Sequence, residues 1–450
     1  MSNSKRLFVS ALFLLTGFMV LLNQTMMVTA LPIMAKTLHV SLQSAQWLTS
    51  GYVLVIGLVT PVSATLLSRF SSRKLYLAMV TVFIIGTLLG PLTNQFSIIL
   101  LARLIQATAG GILMTFVMVS MMEMYPANQR GVVMGYVALV IAAGPALGPT
   151  LSGLLMSVFP WTAIFWLVLP IMVVIFVVSL MVVPEISPAE PNVHIDLRSV
   201  VTSIVGVGLI MSSLTEFSQN VPVASVMLVV GLIATGDFLH RQLTLTTPLL
   251  DIRLFKHMRF TTMMLAALLA FAVLMGTETL MPVYIETGMG RTSLVAGLLM
   301  FPGAIVNAVA SPFVGRIYDG RGARGLLISG LIILLVSAVP FLFMTKTSNI
   351  IFVMIVYVVR MLGVSIFMAV TLTEALVGLK ATELNYGTAF NNTLRQVGGS
   401  ATATILMMVV STAATTIHGF QLSMWVTLGL ILLLTVVTGY YLVKSQKVGA

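Results

Sequence analysis

Apolar residues run along this chain in blocks too long for the core of a soluble protein, each separated from the next by a short polar or glycine-bearing break. A helix crossing hydrocarbon needs about 20 apolar residues, and on that measure the pattern predicts fourteen spans. Their cores fall at 8–30, 46–67, 75–93, 97–121, 132–157, 162–183, 199–217, 222–239, 261–284, 294–315, 325–344, 349–373, 396–415 and 421–443. The first block follows Lys5 and Arg6 as a secretion signal would, yet it runs on towards Pro32 and many spans follow, so it is expected to remain as the first helix.

One block carries an unusual ten residues. Positions 144–153 read Gly-Pro-Ala-Leu-Gly-Pro-Thr-Leu-Ser-Gly, inside an uncharged run covering 132–158. Pro145 and Pro149 remove backbone donors, so neighbouring helices must satisfy the freed carbonyls. Gly144, Gly148 and Gly153 let another backbone come close. Both residue types are common in membrane helices, but this density points to close packing or to motion.

Composition narrows the class. Hydrophobic residues make up 58% of the 450 and charged ones only 8%, against about a quarter charged in a soluble domain. The fold class expected is all-α and membrane-embedded. Cysteine is absent, which removes disulfides, thiol chemistry and thiolate metal sites. The five histidines, His39, His194, His240, His257 and His418, fall at or beyond the ends of apolar runs. No GxxxxGK[ST], HExxH or GxSxG pattern occurs, so neither nucleotide hydrolysis nor an embedded hydrolase is expected, and no cofactor or metal.

Cytoplasmic loops retain Lys and Arg. With the N-terminus inside, 18 of the 23 basic residues, Arg395 among them, fall on the inner side. Lys36, Arg291 and Lys346 fall outside, and Arg103 and Arg360 within spans. Both termini are therefore expected in the cytoplasm. Topology and anionic lipid account for the net charge of +11 without nucleic acid.

An internal repeat divides the chain. The basic turn at 64–74, with Arg69, Arg73 and Lys74, has a second copy at 315–324, with Arg316, Asp319, Arg321 and Arg324. Arg103 and Arg360 stand in corresponding spans. Spans 1–6 and 9–14 read as copies, with spans 7 and 8 an inserted hairpin. The domains expected are thus a six-helix half over 1–184, the insert with its linkers over 185–258, and a second half over 259–450. Paired halves around a midplane site are the architecture of rocking secondary transporters.

Several segments together resemble the major facilitator superfamily, and within it the fourteen-span drug:proton antiporter family 2. Residues 144–153 are similar to its fifth-helix antiporter motif; Arg103-Leu-Ile-Gln106 with Gly110-Gly111 resembles its fourth-helix motif. The stretch from Trp161 to Pro170 resembles the start of its sixth helix, and Asn391 to Gly399 its thirteenth. Residues 22–32 follow the first-helix pattern, except that Asn23 replaces a usual acid and Val28 a usual asparagine. Ser68 and Ser71 replace the usual Asp and Gly of the first basic turn, whereas Asp319 and Gly322 keep them in the second, and Thr162 replaces an arginine. The resemblance implies a proton-coupled exporter of dyes, quaternary ammonium biocides and fluoroquinolone-like drugs, acting as a monomer in the plasma (inner) membrane. It also implies a cytoplasmic gate of charge pairs, here Arg69 and Arg73 with Asp319 and Arg324, the first copy weakened by Ser68.

Without a nucleotide motif, ion coupling is the remaining energy source. A proton carrier must titrate near neutral pH, which a buried carboxylate can do. Most of the twelve acids lie in loops or at span ends. Glu278 lies about 10 Å below the outer boundary of the ninth span, and the repeat offset carries Asn23 onto it; its other reading is a packing carboxylate. Glu216 and Glu286, near outer span ends, and Glu374, near an inner one, read as solvated structural acids and stand second as proton-coupling residues. Arg103 is either the positive partner of a proton acceptor, through Gln106, or a structural arginine bonded to carbonyls. Candidate substrate contacts are Asn23, Trp47, Tyr52, Gln106, Tyr284 and Asn391, each equally at home in ordinary packing. The 31 methionines suit an adaptable cavity. A transporter of one specific metabolite on the same scaffold is the alternative; it would need several buried charges matched to one ligand.

Overall fold

The computed structural model of the chain describes residues 3–126, 130–186, 196–217, 220–245, 248–377, 379 and 381–448, and every regular element among them is helical. The first group is α1 (Asn3–Thr37), the single turn α2 (Leu42–Ala45), α3 (Trp47–Arg69), α4 (Ser72–Leu89), α5 (Phe96–Met124), α6 (Arg130–Met156) and α7 (Ala163–Val182). A hairpin of α8 (Leu197–Glu216) and α9 (Val221–Thr244) follows. The last group is α10 (Met258–Val283), running into a π-helical turn at Tyr284–Gly288, then α11 (Ser293–Arg321), α12 (Ala323–Leu342), α13 (Ile350–Leu376), α14 (Ala381–Thr412) and α15 (Thr416–Val448).

Among the described residues, twelve helices are long and apolar enough to cross a membrane. The other two long ones are α6 and α14, each with several side chains outside the description. The apolar pattern placed the thirteenth core at 396–415, whereas α14 begins at Ala381. Glu383, Asn391, Asn392, Thr393, Arg395 and Gln396 keep that stretch polar, yet Asn391 and Thr393 are buried. Polar residues on a membrane helix survive where protein or a water-filled path faces them. Arg395 is consequently not a loop residue, as the charge tally had it, but lies about four turns inside α14.

Buried apolar side chains fall into two main clusters, one drawn from residues between Val9 and Val183 and one from residues between Phe238 and Tyr441. The two groups meet where α6 packs on α11 and α3 on α14. Both chain ends lie at one face, called here the terminal face. The α8–α9 hairpin packs chiefly on itself, with α8 alone touching α3 and α14. Its backbones cross closely, since a Cβ on Gly231 would fall 2.9 Å from the Gly206 carbonyl oxygen. Val226 and Ile233 stand more than 60% exposed, which suits lipid.

Polar ties gather at the terminal face. Glu374 corrects the sequence expectation of a solvated acid: it is 4% exposed. Its carboxylate accepts from Arg259 Nη2 at 2.5 Å, from the Tyr318 hydroxyl at 2.5 Å and from the Tyr441 hydroxyl, joining α10, α11, α13 and α15. In the first basic turn, Ser71 and Ser72 donate to Glu185 at 2.5 and 2.7 Å, so a carboxylate from beyond α7 sits at the N-terminus of α4. Burial pushes the Glu185 carboxyl up, but these hydrogen bonds and the Arg73 N–H outweigh it and hold it below the usual range. The second basic turn instead needs Gly322, whose φ of 72° opens α12.

At the hairpin's base Arg198 pairs with Asp237 at 2.5 Å and Arg241 with Asp196 at 2.8 Å. The Arg241 hydrogen bonds hold the Asp196 carboxyl below the usual aspartate range. Its contribution, roughly 1 kcal/mol for a partly exposed pair, is present above the unfolded value near pH 4 and is lost as pH falls through the depressed folded value. We expect Asp196→Asn to melt lower than wild type in detergent by a constant gap between pH 5 and 8, with the gap closing below about pH 4; a gap unchanged down to pH 3 would refute this account.

Candidate functional site

Three arginines inside the bundle have no carboxylate partner among the described residues. Arg103 on α5 is fully buried; it donates through Nε to the Leu48 carbonyl at 3.1 Å, and through Nη1 to the Asn23 carbonyl at 3.3 Å and Gln106 Oε1 at 2.9 Å. Its guanidinium lies 4.1 Å from the centre of the Tyr52 ring. Arg360 on α13, also fully buried, reaches Thr277 Oγ1 at 3.2 Å and lies 4.5 Å from the centre of the Phe341 ring. Carbonyl dipoles and ring faces replace part of the lost hydration. Arg395, half-buried on α14, lies 4.7 Å from the Phe271 ring centre, and its one hydrogen bond to a described residue is a long one to Asn391 Oδ1 at 3.4 Å.

Between the two groups of helices lies a pocket. From the first group Gln24, Thr25, Gln46, Thr49 and Ser50 line it, and from the second Met275, Glu278, Thr279, Gly399 and Ser400. It encloses about 30 Å³, room for a water or two and far below the roughly 300 Å³ at which ligand pockets begin. Glu278 forms no hydrogen bond or ion pair with a described residue. A carboxyl in that setting needs a proton, water or a cation as its companion. Because α10 continues through the π-helical turn to Gly288, Glu278 lies about 15 Å from the helical end, deeper than the sequence suggested. Gln46 is 1% exposed with neither amide atom bonded, and Gln24 Oε1 is likewise buried and unpartnered.

Beside the pocket, the glycines of α6, none of which lines it, draw that helix onto α1 and α11. A Cβ on Gly144 would fall 2.5 Å from Leu21 Cβ, and one on Gly148 would overlap Thr25 Oγ1, so this face of α6 lies directly on α1. Thr25 donates to the Gly144 carbonyl at 3.1 Å and Thr29 to the Pro149 carbonyl at 3.5 Å, so hydroxyls of α1 bond the α6 main chain directly. The adjoining face meets α11: a Cβ on Gly153 would fall 2.5 Å from the Ser293 carbonyl oxygen, one on Gly297 2.6 Å from that of Pro149, and Thr150 donates to Gly297 at 3.0 Å. Further hydrogen bonds between the groups run from Ser400 to the Ser50 carbonyl at 2.7 Å and from Ser411 to Gln43 at 3.2 Å. All three lie at the pocket's level or beyond it, away from the termini.

Of the residues expected from sequence, Glu278 alone lines the pocket. Tyr52 and Gln106 serve Arg103, with Gln106 also donating to Thr87 at 2.8 Å. Asn23 is fully buried with its amide unpartnered. Trp47 packs against the α8 side of α3, Tyr284 stacks on Phe420 at 4.4 Å and donates to the Thr345 carbonyl, and Asn391 is buried beside Met264 and Arg395. None of these six lines the pocket, and each contacts other parts of the protein. Arg360 bonds Thr277 rather than Glu278. Glu286 accepts from Ser293 at 2.7 Å at the closed face, and Glu216 ends α8 on the hairpin, both away from the pocket. Arg69 ends α3, while Arg73 donates to the Leu180 carbonyl in its own group rather than across to α11. The side chains of Asp319 and Pro145 lie outside the described residues, and Arg324 stands exposed at the start of α12. Sequence reading missed Gln46 and Arg395 because each lies at the edge of an apolar block, where polarity passes for a boundary, and Gln24 because a lone amide inside a block carries no signal of what it faces.

The sequence profile of the major facilitator superfamily matches residues 13–403. The uncharacterised MFS-type transporter YcnB of Bacillus subtilis is 36% identical, covering 89% of this chain and 86% of that one. The lincomycin resistance protein LmrB of Listeria monocytogenes is 32% identical, again over 89% and 86%. Among solved structures, a bacterial homologue of the human lysosomal transporter Spinster, in an inward-facing and occupied conformation, superposes with a TM-score of 0.71 at 14% identity, covering 99% and 98% of the two chains.

The native absence of cysteine makes the closure directly testable. A single cysteine at Gln43 is expected to react faster with a membrane-impermeant thiol reagent when Gly153→Val is added, because the α6–α11 backbones can no longer meet; an unchanged rate would show that the seal does not depend on that contact.

Proposed function

The chain belongs to the major facilitator superfamily, a family of membrane transporters, and from that premise we propose that it is a proton-coupled exporter of amphipathic, often cationic, toxic compounds. It works by alternating access in the cell membrane, as a monomer with both termini in the cytoplasm. On this reading the terminal face is the cytoplasmic one, and the α6–α11 and α3–α14 seams close the pocket to the outside. The fourteen long helices are fourteen spans of the antiporter family 2 type, with 1–184 and 259–450 as rocking halves and 185–258 as an insert.

The observation that carries this reading is the Glu278 carboxyl, which borders the pocket between the groups without a counter-charge. In a sealed pocket the acid keeps its proton. When the pocket opens outwards the proton's entry favours release of a bound cation, and when it opens inwards a cation can displace the proton. Each species thus binds at the expense of the other, and the exchange couples their gradients. Lincomycin resistance proteins at about a third identity support drug export as the direction.

In everted vesicles, wild-type protein is expected to release protons from the lumen on addition of a cationic dye, and Glu278→Gln to abolish that signal while remaining in the membrane at normal level. Wild-type proton movement in the variant would remove Glu278 as the carrier. Export that persists in liposomes after the pH gradient is collapsed, with no other ion gradient present, would overturn proton coupling itself.

A further inference from the structure

Arg395 is a charge that neither the fold nor the Glu278 exchange uses. It stands about four turns inside α14, its Nε is buried without a hydrogen-bond partner, and no described carboxylate neutralises it. The other two buried arginines each form at least two hydrogen bonds that join different helices. Arg395 has only the long bond to Asn391, four residues back on its own helix. A guanidinium held in a membrane protein for packing alone would be expected to bond carbonyl or hydroxyl oxygens of neighbouring helices, as the other two do.

Its position relative to Glu278 is set by α10. Phe271, Met275 and Glu278 are spaced at i, i+4 and i+7 and so form one stripe on that helix. Arg395 lies on Phe271, and Gly399 lets both Phe271 and Met275 approach α14, since a Cβ there would fall 2.6 and 2.7 Å from them. Seven residues separate Phe271 from Glu278, which is about 10 Å along the axis. The seam between α10 and α14 therefore presents an unpaired cation, an aromatic and a thioether surface, and an unpaired acid, in that order from the terminal face inwards.

We propose that Arg395 is an anion subsite, and that the preferred cargo is amphoteric: a flat or amphipathic molecule with a carboxylate or similar acceptor for Arg395 and, about 10 Å away, a protonated amine for Glu278. Guanidinium and carboxylate form a charge-assisted, bidentate pair. The proposal rests on the reading of Glu278 as the cation-exchanging acid and adds the opposite end of the ligand.

The test uses purified full-length protein and three probes: a permanent monocation (tetraphenylphosphonium), a zwitterionic fluoroquinolone, and the methyl ester of that quinolone, which keeps the amine and loses the anion. Wild type is expected to bind the zwitterion at least about tenfold more tightly than its ester. Arg395→Gln is expected to abolish that difference while leaving tetraphenylphosphonium binding within about twofold, and Arg395→Lys, which keeps the charge, to retain most of it. Equal wild-type affinity for acid and ester would overturn the subsite without recourse to any variant. So would a parallel loss of all three probes in folded Arg395→Gln, or Arg395→Lys behaving as Arg395→Gln does. If dye-evoked proton movement is absent in wild type, the exporter reading fails instead, so the two failures remain distinct.

Discussion

Backbone contact along α6 is the constraint on which the arrangement depends. Three glycines bring this helix against α1 on one side and α11 on the other at distances that a single Cβ would forbid. The separation there is fixed by main chain, which cannot choose another rotamer. Such an interface is either made or broken, with little room for intermediate states. Gly57 repeats the device on α3, where a Cβ would fall 2.7 Å from Gln396 on α14. These two glycine seams bring the groups together around a pocket of only about 30 Å³.

Electrostatics then decides what the closed pocket can hold. The arginines at 103 and 360 occupy corresponding places in the two groups and are treated alike, each fully buried, stacked on an aromatic ring and bonded to neutral oxygens. Neutral partners stabilise a guanidinium without cancelling its charge. The interior therefore carries uncancelled positive charge, against which Glu278 stands out as the pocket's acid. Glu374, the other acid well inside the second group, already has three donors and is committed to holding four helices together. A carboxylate with that many partners has no need of a mobile companion, whereas one facing a pocket does.

Much of this was legible in the sequence, for reasons of scale. Runs of twenty apolar residues, prolines beside glycines at four-residue spacing, and an isolated Glu within a span are patterns whose physics is local to one helix. What failed depended on neighbours. Tyr52 and Gln106 have the chemistry of ligand contacts, but the buried Arg103, on another helix from Tyr52 and on the same helix as Gln106, engages both. The start of α14 is hidden from any apolar window because its first residues are polar, with Asn391 and Thr393 buried inside the protein, and Arg395 was misassigned with it. Nothing in residues 68–71 indicates that the carboxylate missing from that turn is supplied by Glu185, more than a hundred positions along the chain.

The two copies of the repeat have diverged in a consistent direction. In the first, Asn23 replaces a usual acid and its main-chain carbonyl, rather than its side chain, accepts from Arg103. In the first basic turn, likewise, Ser71 and Ser72 bind Glu185 within the same group of helices. In the second copy the acid, at Glu278, faces the pocket, and the turn keeps Gly322 in the conformation that only glycine adopts readily. The unpaired Arg395 also belongs to the second group. The first group thus supplies neutral amides and hydroxyls to the pocket, and the second supplies its one charge, Glu278. The ion pairs between described residues each lie within the hairpin or within the second group, and none of them crosses the seam.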